Sequence, residues 1–295
     1  MNSQPLHLLV GLQGDMHLLP QFLLYYCQRG VTLFVVHACT GEVLEAARPA
    51  LRDYPHVVAQ VWSTPYDWQR KLQVEADGLA KHSAGRWTLL PDLDELWEFE
   101  PPLPEQLERA DAANCNALRG RFLDRVTEGG ALPEPDPTRC LFEAFPYTAE
   151  VTSRVIRGAT ALTAAVRGWA PANRHATHDG AGQLWGARPP RFLPGTNNRA
   201  HHFKWSSRAK ARMAERAARY RELYEAGDPA YFFWPEGLCL QEHLSQHGGR
   251  LDVAHLGREH DGRCLFTQGH PAGVSCSLCP SCSESSGPSG YGRGG

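Results

Sequence analysis

The sequence predicts an α/β protein with a mostly parallel central sheet flanked by helices. Two observations carry this. Apolar runs rich in Val and Leu alternate with helical periodicities through the first hundred residues, and runs that are apolar on both faces suit strands buried between helix layers. LHLLVGL (6–12) is the first such run, and MHLLPQFLLYYCQRG (16–30) follows as a helix closed by Gly30. VTLFVVHA (31–38) is a strand rich in β-branched residues, EVLEAARPALRDY (42–54) a helix and HVVAQVW (56–62) a third strand. YDWQRKLQVEADGLAKHSAG (66–85) is a third helix and RWTLLP (86–91) a fourth strand. Ligands of such sheets bind outside the carboxyl ends of the strands.

Beyond residue 100 the periodicity weakens. PPLPEQLERADAANCN reads as a short helix, 117–126 and 145–158 as strands, ALPEPDPTR as a loop, 200–227 as a long basic helix after a strand-like start, and 234–253 as a short helix. From residue 271 to 295 Gly, Ser, Pro and Cys dominate, and a disordered tail is expected. The chain of 295 residues is 42% hydrophobic, enough for a substantial core. Its 30 Lys and Arg against 32 Asp and Glu give a net charge of −2, with no overall field to attract nucleic acid. The N-terminus lacks a basic region followed by a long apolar stretch and a cleavage site, and no run approaches the roughly 20 apolar residues of a membrane span. The expectation is a soluble, cytoplasmic protein, with peripheral membrane contact left open. Nine cysteines, mostly scattered, give no disulfide framework.

The fourth strand runs into DLDEL, which places Asp92, Asp94 and Glu95 where a parallel sheet binds ligands. Two aspartates spaced in this way can hold Mg²⁺ or Mn²⁺, which take oxygen ligands and accept phosphate oxygens as further ones. The plainer reading is a set of acids at the start of a helix.

The order of several segments resembles the bacterial glycosyltransferases of the nucleotide-diphospho-sugar GT-A type, close to family 2 and the related family 92. HLLPQFLLYYCQRGVTLFVVH (17–37) is similar to their leucine–proline helix and the Gly-Val before the second strand. WQRKLQVEADGLAKHSAGRWTLLPDLDELWEF (68–99) is similar to their helix, apolar strand and D-x-D-E-F. RGRFLDRVTEGGALP (119–133) looks like their D-R … G-x-L segment, and HHFKWSSRAKARMAERAARY (201–220) like H-[YF]-K-W … R. Two departures stand out: Asp15 is the one acid that could replace the Asn-Glu after the first strand, and Leu96 stands where the relatives have an aromatic residue.

The resemblance implies a Rossmann-like GT-A fold over residues 1–270, with a nucleotide-binding half to about 100 and an acceptor half from 101 to 270. It implies a hexosyltransferase that moves a sugar from a nucleotide-diphospho-sugar to a glycan, lipid or small-molecule hydroxyl, with Mn²⁺ or Mg²⁺. Asp94 would ligate the cation and Asp92 would contact the ribose or the metal. Glu95 orients Asp94 or holds the turn. His202 would complete the metal shell and Lys204 neutralise the diphosphate, whereas His201 would face the other way on an extended strand. Asp15, Arg70 and Lys71 are further candidates for nucleotide contact. Arg208, Lys210, Arg212, Arg216, Arg219 and Arg221 make the following helix basic, with Met213, Ala217 and Tyr220 on its buried side.

A transferase that inverts its sugar needs a carboxylate to take the acceptor's proton. Asp124, Asp179, Glu236 and Glu242 all qualify, and spacing does not choose between them. Asp179, in RHATHDG (174–180), is equally a turn residue. CSLCPSC (276–282) repeats C-x-x-C through Cys279, and Cys264 and His270 lie upstream, but two separated pairs are the usual zinc pattern, so the cysteines are expected to bind nothing. Two alternatives are a haloacid-dehalogenase-type phosphatase using the D-x-D and a non-catalytic GT-A-like interaction protein with a zinc-binding tail.

Overall fold

LHLLVGL forms strand β1 (Leu6–Leu12), and its alternation decides which helix packs on which side. The computed structural model describes residues 5–54, 56–62, 68–167, 170–171, 184–185, 190–227, 233–267, 269–274 and 276–278. After β1 come a single 3-10 turn at Met16–Leu18, α1 (Leu19–Cys27), β2 (Val31–Ala38), α2 (Gly41–Leu51), β3 (Val57–Val61), α3 (Trp68–His82) and β4 (Trp87–Leu89). The four strands lie side by side in the order β3-β2-β1-β4, all parallel. Leu8, Val10 and Leu12, with Phe34 and Val36 of β2, pack in one cluster with Leu19, Phe22 and Leu23 of α1. Leu9 and Val35 fall in a second cluster with Leu79 of α3. Helices therefore cover both faces, which is why these strands carry so few polar residues.

The α/β class is as expected, with local differences at element ends. The first helix begins three residues late, because Pro20 lacks the N–H a helix interior needs and sits in its first turn. It ends at Cys27, and Gly30, at φ 82°, turns the chain into β2.

The second half extends the sheet with antiparallel strands. Its elements are β5 (Glu95–Glu98), α4 (Leu103–Ala112), β6 (Ala117–Val126), α5 (Leu141–Ala144), β7 (Tyr147–Ala149), α6 (Val151–Arg154), β8 (Ala161–Arg167), β9 (Ala170–Pro171) and β10 (Leu184–Trp185). Then follow β11 (Asn198–His202), α7 (Ser207–Glu225), α8 (Phe233–Gln246) and β12 (Glu259–His260). The sheet continues from β4 through β8, β6 and β7 to β12, each neighbouring pair antiparallel. The strand expected over 145–158 is instead β7 and the one-turn α6, since Asp124 accepts hydrogen bonds from Thr152 and anchors that turn. β11 pairs in parallel with β6 and antiparallel with β5. Gly120 permits that approach: a Cβ there would lie 2.4 Å from the Asn198 carbonyl oxygen and 2.5 Å from the Trp97 ring. Helices α7 and α8 close the far side, with Met213, Leu240 and Leu244 buried together with Trp205. Residues 271–274 and 276–278, expected to begin a tail, meet the main core through Val274, Cys276 and Leu278. Among the described residues, no helix is long and apolar enough to cross a membrane.

One buried group ties this core to pH. His37 of β2 is 1% exposed and faces Gly78 of α3, where a Cβ would come within 2.6 Å of its Nε2. Burial, reinforced by nearby His82 and opposed by Asp77, lowers its pKa to about 4. An unfolded imidazole titrates near 6.5, so between about pH 6.5 and 4 the unfolded chain binds a proton that the native chain refuses. Stability therefore falls as pH drops through that window, by up to about 3 kcal/mol from this residue. Urea unfolding across that range should show a flatter pH slope for His37→Leu than for wild type. An unchanged slope would mean that His37 is not the group responsible.

Candidate active site

The site is built where β1 and β4 end and β6 and β11 run alongside. The turn after β4 is closed by Glu95, whose backbone N–H donates to the Asp92 carbonyl at 3.0 Å and whose Oε2 accepts from the Asp92 N–H at 3.1 Å. Glu95 is 1% exposed, so this acid holds the turn. Tyr26 of α1 fixes the same segment: its hydroxyl donates to the Glu95 carbonyl at 2.9 Å and accepts from the Trp97 N–H at 3.1 Å. The Phe203 N–H donates to the Asp94 carbonyl at 2.8 Å and ties the turn to the end of β11. The carboxylates of Asp92, Asp94 and Glu95 each offer an oxygen within 4.8 Å of the others.

Parallel pairing sets His202 of β11 opposite Asp124 of β6. His202 Nδ1 and Asp124 Oδ1 are 2.9 Å apart, and His202 Nε2 lies 3.7 Å from Asp94 Oδ2. Because a carboxylate accepts, Nδ1 carries the proton and Nε2 is aimed at Asp94. Burial disfavours the imidazolium, but Asp124 and Asp94 outweigh it against Lys204, and the His202 pKa is raised. Phe122 stacks on the ring at 4.3 Å and fixes its plane. Asp124 is 2% exposed and also accepts from Trp205 Nε1 at 2.8 Å, Thr152 Oγ1 at 2.7 Å and the Thr152 N–H at 2.6 Å. Burial alone would raise its pKa; hydrogen bonds from His202 and Thr152 lower it instead. With its oxygens accepting from four donors, Asp124 has the surroundings of an orienting carboxylate and not of a base open to an acceptor.

Cations surround the acids. Lys71 of α3 is 3% exposed, with Nζ 2.8 Å from Asp92 Oδ1 and 3.5 Å from Glu75 Oε1. Arg70, its neighbour in sequence, is exposed on the outside of that helix. Asp15 follows β1 in left-handed backbone, at φ 55°, and pairs with Arg212 of α7. Burial works against the Arg212 charge, yet Asp15, Asp94 and Asp92 together raise its pKa. One turn on, Arg216 donates to Gln13 Oε1 at 3.3 Å. Met213, Ala217 and Tyr220 are the buried side of this helix, as expected, and Arg208 and Lys210 are exposed.

Lys204 follows β11, its Nζ 5.4 Å from the Trp205 ring centre. Glu236, in the first turn of α8, feels Lys204, Arg216 and His202, but burial prevails and raises its pKa. Glu242 is exposed and accepts from Gln246 at 3.3 Å. Asp179 lies outside the described residues. The structure thus brings together Asp15, Lys71, Asp92, Asp94, Asp124, His202, Lys204 and Glu236, and leaves Arg70 and Glu242 outside.

Two further residues, His17 and Gln13, lie beside this group. His17 sits near Asp15, Asp94, Arg208 and Arg212, and burial lowers its pKa to about 4 despite the acids. Gln13 had no signal beyond its place after the first strand. Arg212 and Arg216 are a partial case: their four-residue spacing puts them on one helix face, but only the fold shows that this face meets the end of β1.

The donor set fits a divalent cation through Asp94 and His202, with Asp92 beside them and its Oδ1 paired with Lys71. A carboxylate and an imidazole whose other nitrogen is held by a second carboxylate is a common ligand arrangement. The surrounding Lys and Arg favour an anionic partner.

No family model matches the sequence, and no curated protein matches it. Among solved structures, part of the chain is similar to 4-diphosphocytidyl-2C-methyl-D-erythritol synthase from Anaerococcus prevotii DSM 20548, at 11% identity and a TM-score of 0.28 over 46% of this chain and 61% of that one. A second structure of a 4-diphosphocytidyl-2C-methyl-D-erythritol synthase gives 14% identity and a TM-score of 0.29 over 46% of this chain and 65% of that one. The chain spans less than two-thirds of the length of either, and likeness at this level says nothing about its activity.

Proposed function

We propose that the protein is a metal-dependent glycosyltransferase that uses a nucleotide-diphospho-sugar donor. The observation that carries this reading is the convergence of Asp94 with His202, whose far nitrogen is held by Asp124, at the carboxyl end of parallel strands and among the buried Lys71 and the half-buried Arg212, Arg216 and Lys204. The strand order β3-β2-β1-β4, with antiparallel strands added beyond β4, agrees with the GT-A resemblance of the sequence.

In this reading Asp94 and His202 hold Mn²⁺ or Mg²⁺, which supplies positive charge to the departing nucleoside diphosphate. Arg212, Arg216 and Lys204 bind the diphosphate, and Lys71 fixes Asp92 to meet the ribose or the cation. Asp15 sets the position of Arg212. Glu236 takes the proton of the acceptor hydroxyl as the new bond to the sugar carbon forms and the bond to the phosphate oxygen breaks. Its raised pKa and its place beside Lys204 and His202 favour it over Asp124 as the base.

Calorimetric titration of UDP and GDP, with and without Mn²⁺, tests the reading, followed by a nucleotide-sugar panel with mass spectrometry of products. Metal-dependent nucleotide binding supports it. Absence of any nucleotide binding, or hydrolysis of a generic aryl phosphate abolished by Asp92→Asn, would overturn it. For Glu236→Gln the expected result is a kcat at least about 100-fold lower with nucleotide affinity unchanged, as befits loss of a general base. A variant that loses nucleotide binding and keeps kcat would remove Glu236 from that role.

A further inference from the structure

On the side of the sheet that carries Arg125 and His201, three cysteines and a histidine from distant parts of the chain meet. Cys140 caps the start of α5, and Cys264, His270 and Cys276 come from the irregular segment after β12. One ligand atom from each lies within 4.8 Å of all the others. The Cys140 and Cys264 sulfurs are 3.9 Å apart, and Cys264 Sγ is 3.5 Å from His270 Nε2. A tetrahedral zinc with Zn–S of about 2.3 Å and Zn–N of about 2.0–2.1 Å has S···S edges of about 3.8 Å and S···N edges of about 3.5 Å. The Cys140–Cys264 and Cys264–His270 separations match those edges, and the remaining separations fall within 4.8 Å, close enough for one ion to reach all four side chains. The sulfurs are too far apart for a disulfide, whose S–S bond is about 2.05 Å.

We infer that Cys140, Cys264, His270 and Cys276 form a structural zinc site. Four protein ligands leave no open position, the mark of a structural site as opposed to a catalytic one. Three thiolates with one imidazole are the soft donor set that structural zinc takes, unlike the oxygen ligands of Mg²⁺ or Ca²⁺. The site also answers a question about the fold. Among the described residues from 251 to 278, the two-residue β12 is the only regular element, yet Phe266 and Cys276 are buried in the main core. Side-chain bonds hold the segment at intervals: Arg29 to the Leu265 carbonyl at 3.0 Å, the Thr267 N–H to Gln28 at 2.9 Å and the Ser277 N–H to Glu143 at 3.0 Å. Zinc cross-links this segment to the start of α5, joining Cys140 and Cys264 across a sequence separation of 124. In the sequence, the half-match of the C-x-x-C pattern and its Ser/Gly surroundings point to cysteines that bind nothing, and the scattered Cys140, the distant ligand, carries no local signal.

The test is elemental analysis of the full-length protein purified without chelator, with Co²⁺ replacement to read the ligand set. One zinc per chain is expected, with a cobalt spectrum of tetrahedral, thiolate-rich coordination. Cys264→Ser should lose the metal and Cys279→Ser/Cys282→Ser should keep it. Should Cys264→Ser fail to fold, the wild-type stoichiometry and cobalt spectrum still decide. A metal-free wild type that takes up no cobalt would overturn the inference, as would zinc lost from the Cys279/Cys282 double variant and retained in Cys264→Ser. Asp94→Ala should retain its zinc, so this site and the proposed active site fail or stand separately.

Discussion

Asp94→Ala should abolish Mn²⁺-dependent nucleotide binding and lower sugar transfer by ~10³-fold or more, with thermal stability close to wild type. The magnitude follows from losing a cation that stabilises charge on the leaving group, an effect worth several kcal/mol, with about 1.4 kcal/mol for each factor of ten. Stability should survive because the structural bond of this residue is made by its carbonyl, which accepts from the Phe203 N–H at 2.8 Å and is untouched by the substitution. Asp92 makes a useful contrast. Removing its carboxylate strips a 2.8 Å partner from Lys71, which is 3% exposed, and so strikes the fold as well as the site. The prediction is checked by calorimetry with and without Mn²⁺ and by transfer assays. A variant that keeps metal-dependent binding would take Asp94 out of the metal site.

Asp124→Asn should cost about 3 to 5 kcal/mol of stability and lower the melting temperature by roughly 10 °C. Oδ1 accepts from His202, Trp205 and the Thr152 hydroxyl, and Oδ2 accepts from the Thr152 N–H. An asparagine must turn its NH₂ toward one of these sets, so a buried donor faces a donor in either orientation. The His202 proton also loses its charged acceptor, and metal affinity should fall by about 10- to 100-fold, the usual effect of removing the partner that orients a ligating histidine. Thermal unfolding and Mn²⁺ titration measure the two effects. Wild-type stability in this variant would contradict the hydrogen-bonding role assigned to the carboxylate.

What the sequence disclosed followed the range of its interactions. Strands 31–38 and 117–126 have the expected bounds because their apolar content is local. β8 was missed: ALTAAVR owes its strand to pairing with β4 and β6, and small alanines carry little periodic signal. β5 was absorbed into the D-x-D turn, since its partner β11 lies a hundred residues on. The opposed faces of His201 and His202 were legible, because alternation is a property of any strand. His201 accepts from Arg125 Nε at 3.0 Å and meets Glu98 at 3.3 Å, away from Asp94. The place of Asp124 was not legible, because only the fold shows Thr152 and Trp205 filling its lone pairs. Asp179 lies outside the described residues, so its place among the candidate bases rests on sequence alone.

The pairing of β6 with β11 bears on which changes the chain can absorb. Asp124 and His202 share one side of the two strands, while Arg125 and His201 share the other, with Phe142, two residues after Cys140, in contact with both. A single-residue deletion or insertion in β6 would carry a guanidinium toward the acids and a carboxylate toward the cysteines, and one in β11 would exchange His201 and His202. Point substitutions along β6 and β11 should therefore be borne far more often than length changes, and a library of one-residue indels should leave these two strands as a gap in its survivors.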